Sequence, residues 1–208
     1  MSDQETGSLE ILSRTAARLR PWVWPGDPLP RLLFFTDPVR VPDPEAVAER
    51  LPAGAGIVYR PFDAPDAIER GLRLAAIARA GGLLLLAGAD PALAQAIGAQ
   101  GVHLPQRLAD SAAYIRRGHP SWRITAAAHD APAVRAAQQA GAEAVVVSPV
   151  LPSNSPSAGA PLGVAGLAAI TASAALPVYA LGGVNAKTAG ALVGAGVYGL
   201  AGVEGFGA

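Results

Sequence analysis

Two adjacent glycines, Gly182 and Gly183, follow the apolar residue Leu181 and lead into Val184 and Asn185. Lacking side chains, they let backbone N–H groups come close to an anion. The alanine-rich stretch that starts near Asn185 has helical length and would aim the positive end of its dipole at the same place. A second run, Gly199-Leu200-Ala201-Gly202, follows. Together these turns have the chemistry of a phosphate cradle; a tight strand-to-helix turn that needs glycine for geometry alone is the plainer alternative. Cysteine is absent, which excludes disulfides, thiolate metal sites and cysteine nucleophiles. Lys187 is the only lysine, so any lysine-dependent chemistry rests on one position.

The elements that must position these residues are read from short apolar runs alternating with Ala- and Leu-rich stretches of helical length, the pattern of a parallel sheet with crossover helices. Strands are expected at Leu32–Phe35, Gly56–Tyr59, Leu83–Leu86, Gly101–Leu104, Arg123–Ala127, Ala144–Val147, Val178–Leu181 and Gly199–Val203. Several are apolar on both alternations, as strands buried on both faces are. Helices are expected at Pro44–Leu51, Asp66–Ala80, Pro91–Ile97, Ser111–Arg117, Pro132–Ala140, Val164–Ala172 and Ala186–Val193, with proline at early positions and glycine after the ends. Eight strands and seven crossovers predict a compact (β/α)₈ TIM barrel whose eighth outer helix is missing or truncated. Its seventh turn, at Gly182-Gly183, falls where such barrels place a phosphate.

Residues 1–30 are expected to form an extra helix and a connector, and residues 31–208 the barrel. Leu9, Ile11, Leu12, Ala16 and Leu19 form the stripe that would cover the surface left by the eighth helix. Trp22 and Trp24 in Pro21-Trp22-Val23-Trp24-Pro25 would pack at that seam or face another subunit, which leaves a homo-oligomer open. The irregular stretch Leu151–Gly163 has the composition of a mobile lid at the active end.

Formal net charge is zero and no basic stripe is present, which argues against a nucleic-acid partner. No apolar run approaches the roughly 20 residues of a membrane span, and the start is polar and acidic rather than a signal peptide. A soluble, cytoplasmic protein without a membrane partner is expected. No cofactor or metal is expected, since His103 and His129 lack acidic companions. His119 is given no role.

Leu33-Phe34-Phe35-Thr36-Asp37, Gly101-Val102-His103-Leu104-Pro105-Gln106, Ala127-Ala128-His129-Asp130, Val147-Ser148-Pro149-Val150-Leu151-Pro152 and Leu181-Gly182-Gly183-Val184 occur in order over about Leu32 to Val203. In these segments the chain resembles the thiamine phosphate synthase/TenI family. The resemblance implies a barrel that binds a thiazole phosphate or similar small phosphate ester. Gly182, Gly183, Gly163, Gly202, Arg60, His103 and Ser148 would line that site, His103 as pocket wall or structural residue. The synthase joins a pyrimidine diphosphate to a thiazole phosphate with Mg²⁺; the TenI branch includes thiazole tautomerases. His129 matches the tautomerase acid/base, and imidazole can give and take a proton near neutral pH.

The departures weigh against the synthase. Its Arg-x-Lys and Thr-x-Thr-Lys fall on Arg60-Pro61-Phe62 and Ser153-Asn154-Ser155-Pro156, so both lysines are lost. Its two Mg²⁺-binding aspartates fall on Ala89 and Leu108, with Asp90 and Asp110 close enough for a shifted site. Without metal or lysine, a diphosphate leaving group develops charge that little would stabilise. Glu204 stands where the family has a small hydroxyl residue beside the phosphate, so it turns outward or the ligand has changed. The expectation is a thiazole tautomerase or diverged relative, with a thiamine phosphate synthase or a non-catalytic ligand-binding barrel as alternatives.

Overall fold

The computed structural model describes residues 3–153, 155 and 159–206. Strands β1 (Leu32–Phe35), β2 (Gly56–Tyr59), β3 (Leu84–Gly88), β4 (Gly101–Leu104), β5 (Arg123–Ala128), β6 (Ala144–Val147), β7 (Val178–Ala180) and β8 (Gly199–Gly202) pair in chain order. All pairings are parallel, and β8 returns to β1 to close a TIM barrel. Every residue of β1, β2, β4, β6 and β8 is buried. One face lies inside the barrel and the other under the outer layer, which is why these runs carry no alternation. Inside, His103 of β4 and Thr125 of β5 are register partners, with Nδ1 and Oγ1 3.0 Å apart. The His103 ring also meets Phe35 of β1 edge-on at 4.9 Å, across the interior rather than between neighbouring strands.

Around the barrel lie α1 (Asp3–Ala16), α2 (Pro44–Ala48), α3 (Ala67–Gly81), α4 (Pro91–Ile97), α5 (Ala112–Gly118), α6 (Ala131–Gln139) and α7 (Gly163–Ser173). Asp43, Asp90 and Asp130 cap α2, α4 and α6 through side-chain oxygens, each with a proline in the first turn. A 3₁₀ segment, Gln106–Ser111, leads into α5.

The helix expected over Ala186–Val193 does not form; a single 3₁₀ turn, Ala189–Leu192, replaces it. Asn185 Oδ1 accepts from the Lys187 and Thr188 N–H groups at 2.9 and 3.2 Å, and Thr188 Oγ1 donates to Gly183 O at 2.7 Å. These side-chain bonds fix a local turn in place of a helical one, and Gly194 and Gly196, at φ of 90° and 78°, end it.

Helix α1 packs against β1, β8, the Ala189–Leu192 turn and a final 3₁₀ turn, Glu204–Phe206. It buries Leu9, Leu12 and Ala16, while Ile11, expected in the same stripe, is 46% exposed because it lies off the i, i+3, i+7 row. The connector behind α1 crosses the N-terminal mouth of the barrel. Tyr179 and Tyr198 donate their hydroxyls to the carbonyls of Pro30 and Leu29, and Arg123, at the start of β5, donates to Asp27 O at 2.9 Å. Trp24 lies edge-on to Tyr198 and within cation–π distance of Arg123, so it closes that mouth rather than an outer seam.

Candidate active site

At the opposite end, where the strands terminate, is a cavity of about 1240 Å³. Its wall includes Arg40 after β1, Arg60 and Phe62 after β2, Asp90 after β3, His103 and Arg107 at β4, His129 after β5, Ser148 after β6, Gly182 and Gly183 after β7, and Gly202 to Gly205 around the end of β8. Seven of the eight expected site residues therefore converge: Arg60, His103, His129, Ser148, Gly182, Gly183 and Gly202. Gly163 is not in the wall; it starts α7 and donates its N–H to Val150 O at 2.9 Å.

The glycine turn is shaped by close approach. A Cβ on Gly183 would stand 2.3 Å from Pro152 O, and one on Gly182 would stand 2.9 Å from Pro149 Cα; their φ angles are 68° and 94°. Only glycine fits under the segment that follows β6. The turns after β7 and β8 touch, since a Cβ on Gly205 would stand 2.3 Å from Val184 O. Among the described residues, the N–H groups of Gly182, Gly183, Val203 and Glu204 donate to no acceptor. The helix dipole expected to reinforce them is absent with its helix, and Asn185 already takes the Lys187 and Thr188 amides.

Arg60 Nε donates to Thr36 O at 2.8 Å, and its guanidinium carbon lies 5.3 and 5.0 Å from the ring centres of Phe35 and Phe62. Asp37 is 3.8 Å away, leaving Nη2 buried with no hydrogen-bond partner among the described residues. Burial pushes the Arg60 pKa down to about 10; Asp37 raises it and Arg40 lowers it. Glu204 neither turns away nor stands uncompensated. It lines the cavity and accepts from Arg40 Nη2 at 2.8 Å, a bond that holds its pKa below the usual carboxylate value. Arg40 and Arg107 were missed by sequence reasoning; the cue for Arg40 was a cation three residues beyond the Asp37 strand end.

His129 Nδ1 is 2.6 Å from Ser148 O, and the backbone N–H of His129 donates to Gln106 Oε1 at 3.0 Å. A carbonyl can only accept, so Nδ1 carries the proton and the neutral ring keeps its lone pair on Nε2. His103 is different: burial, then the charge of Arg60, pushes its pKa down to about 3.

A family model described as thiamine monophosphate synthase matches residues 32–206. The chain belongs to this family. It is 38% identical over 129 residues to a thiamine-phosphate synthase of Thiobacillus denitrificans, covering 62% of this chain and 61% of that one. It is 33% identical over 162 residues to the thiamine biosynthesis bifunctional protein ThiM/ThiE of Symbiobacterium thermophilum, covering 76% of this chain and 34% of that one. This chain therefore spans less than two thirds of either relative. The solved thiamine phosphate pyrophosphorylase of Pyrococcus furiosus superposes with a TM-score of 0.74 at 27% identity, covering 86% of this chain and 88% of that one.

The Mg²⁺ that the thiamine phosphate synthase resemblance implies does not fit the donors of this chain. Ala89 and Leu108 carry no oxygen ligand. Asp90 Oδ1 caps α4, and Asp110 is outside the cavity wall. Among the described residues no three His, Cys, Asp or Glu side chains gather into a metal site. Phe62 occupies one of the two lost lysine positions; the other, Pro156, lies outside the described residues, as do Asn154, Ser157 and Ala158 of the expected lid. Among the described residues no helix is long and apolar enough to cross a membrane.

Proposed function

We propose that the chain binds a thiazole phosphate or similar small phosphate ester and catalyses proton transfer on it, as a thiazole tautomerase of the thiamine biosynthesis family. The observation that carries this reading is the 2.6 Å contact of His129 Nδ1 with Ser148 O, which turns Nδ1 into the donor and leaves the lone pair on Nε2, in a cavity that also holds unpaired backbone N–H groups. The ester's phosphate rests on the Gly182-Gly183 and Val203-Glu204 amides, with Lys187 and Arg60 adding positive charge. His129 Nε2 removes a proton from one carbon of the ring system. The resulting imidazolium is stabilised by its Nδ1–H bond to Ser148 O, and the same nitrogen returns the proton at the other position, so the substrate leaves isomerised and the ring neutral. No hydride, metal or leaving group takes part.

The synthase names of the relatives favour a second reading, condensation of a pyrimidine diphosphate with the thiazole phosphate. Against it stand the positions where this chain lacks a synthase lysine and both metal-binding aspartates. Two assays separate the readings. His129→Ala should lower kcat for thiazole carboxylate phosphate isomerisation about 10² to 10⁴-fold with KM nearly unchanged. Thiamine phosphate formation from both precursors with Mg²⁺ at about 1 s⁻¹ or faster would overturn the tautomerase reading in favour of the second.

A further inference from the structure

A positive side chain beside the turn after β8 is occupied by the protein itself. Arg40 rises from the turn after β1 with its side chain 18% exposed, and its Nε is buried with no hydrogen-bond partner among the described residues. Its Nη2 is held by Glu204, whose own side chain is 47% exposed. The pair is lopsided. Glu204 can turn into water at little cost, whereas Arg40 cannot leave without exposing its packed stem. The Glu204 N–H and that of its neighbour Val203 donate to nothing among the described residues, and both residues line the cavity. An anion that reached those amides would meet the Glu204 carboxylate first, and beside it a guanidinium able to serve either partner.

We propose that Arg40 is an anion-binding residue of this cavity and that Glu204 holds it in the ligand's place until a phosphate ester takes it over. This rests on the phosphate-ester reading above and adds a residue and a selectivity to it. Arg60 is less suited to such an exchange, because its Nε is fixed on Thr36 O and its guanidinium is stacked between Phe35 and Phe62. A phosphate ester suits the donor set better than a carboxylate, since its three terminal oxygens can use the amides after β7 and β8 together with a guanidinium. The exchange also sets a threshold: an anion must compete with a carboxylate already in place, so weakly charged or bulky-ended ligands are disfavoured.

The test is a ¹⁵N amide titration of the full chain with inorganic phosphate, following the Gly182, Gly183 and Val203 signals. Glu204→Gln should tighten phosphate binding about fivefold, and adding Arg40→Gln to it should remove that gain, because a charge-assisted donor is then lost. If Glu204→Gln/Arg40→Gln binds as tightly as Glu204→Gln alone, Arg40 only neutralises Glu204 and the proposal fails. Unchanged affinity in Glu204→Gln overturns it as well. Should Arg40→Gln disturb amides away from the cavity, Arg40→Met, which keeps the apolar stem, takes its place with the same expectations. Absence of any phosphate-induced shift at the three amides in every variant would overturn the phosphate cradle together with the exchange, whereas the first two outcomes leave the cradle standing.

Discussion

Buried imidazole chemistry makes His103 a sensor of the intact barrel. Its pKa is about 3 in the fold against 6.5 for the free group, so the folded chain excludes a proton that the unfolded chain binds. Above pH 6.5 both states are neutral at this position and it adds no pH dependence. As pH falls toward 3, the unfolded state is favoured progressively, by on the order of a few kcal/mol in total. His103→Gln should flatten this loss, with urea midpoints that converge on or exceed those of the wild type at pH 4 although they are lower at pH 7. Parallel midpoint curves for the two proteins would show that His103 takes no part in acid sensitivity. The same burial sets it apart from His129: a group driven to stay neutral is a poor proton carrier near neutral pH, so His103 is unsuited to the shuttle role that the proposed tautomerisation gives to His129.

Among the elements, the turns after alternate strands share one device. Asp37 after β1, Asp90 after β3, Asp130 after β5 and Asn185 after β7 each accept backbone N–H bonds from residues two or three positions on. Asp90→Ala should therefore destabilise the chain by about 1 kcal/mol in urea unfolding, as loss of an N-cap does, while Asp110→Ala stays within roughly 0.5 kcal/mol. Equal effects would mean that the cap is not what Asp90 contributes. The strands were legible in the sequence because runs apolar on both faces have few other homes. Their limits were legible at β1, β2, β4 and β6 but not at β3: Leu83 to Gly88 offers no alternation to mark an end, and β3 runs Leu84–Gly88 where Leu83–Leu86 was expected. The helix after β7 was misread because alanine content favours a helix whereas Asn185 and Thr188 bond to the backbone instead. The cradle glycines were legible as close-approach positions. The partner of Glu204 was not, since Arg40 is 164 residues away and no local pattern links them.

On the scale of the whole molecule, the two ends of the barrel do different work. The cavity occupies one mouth, and the connector, held by Tyr179, Tyr198 and Arg123, lies across the other. Tyr179→Phe should cost about 1 to 3 kcal/mol, because it leaves the Pro30 carbonyl without its buried donor. Phosphate-ester affinity should not change, as calorimetry can check; a loss of affinity would mean that the two mouths are coupled. The three tryptophans all belong to the connector end. Trp22 and Trp24 are in the connector, and Trp122, stacked on His119, stands immediately before β5. Indole emission is therefore a gauge of connector docking and is blind to the cavity. A flat fluorescence titration with ligand would say nothing about binding, whereas a red shift under mild denaturant would report the connector lifting away.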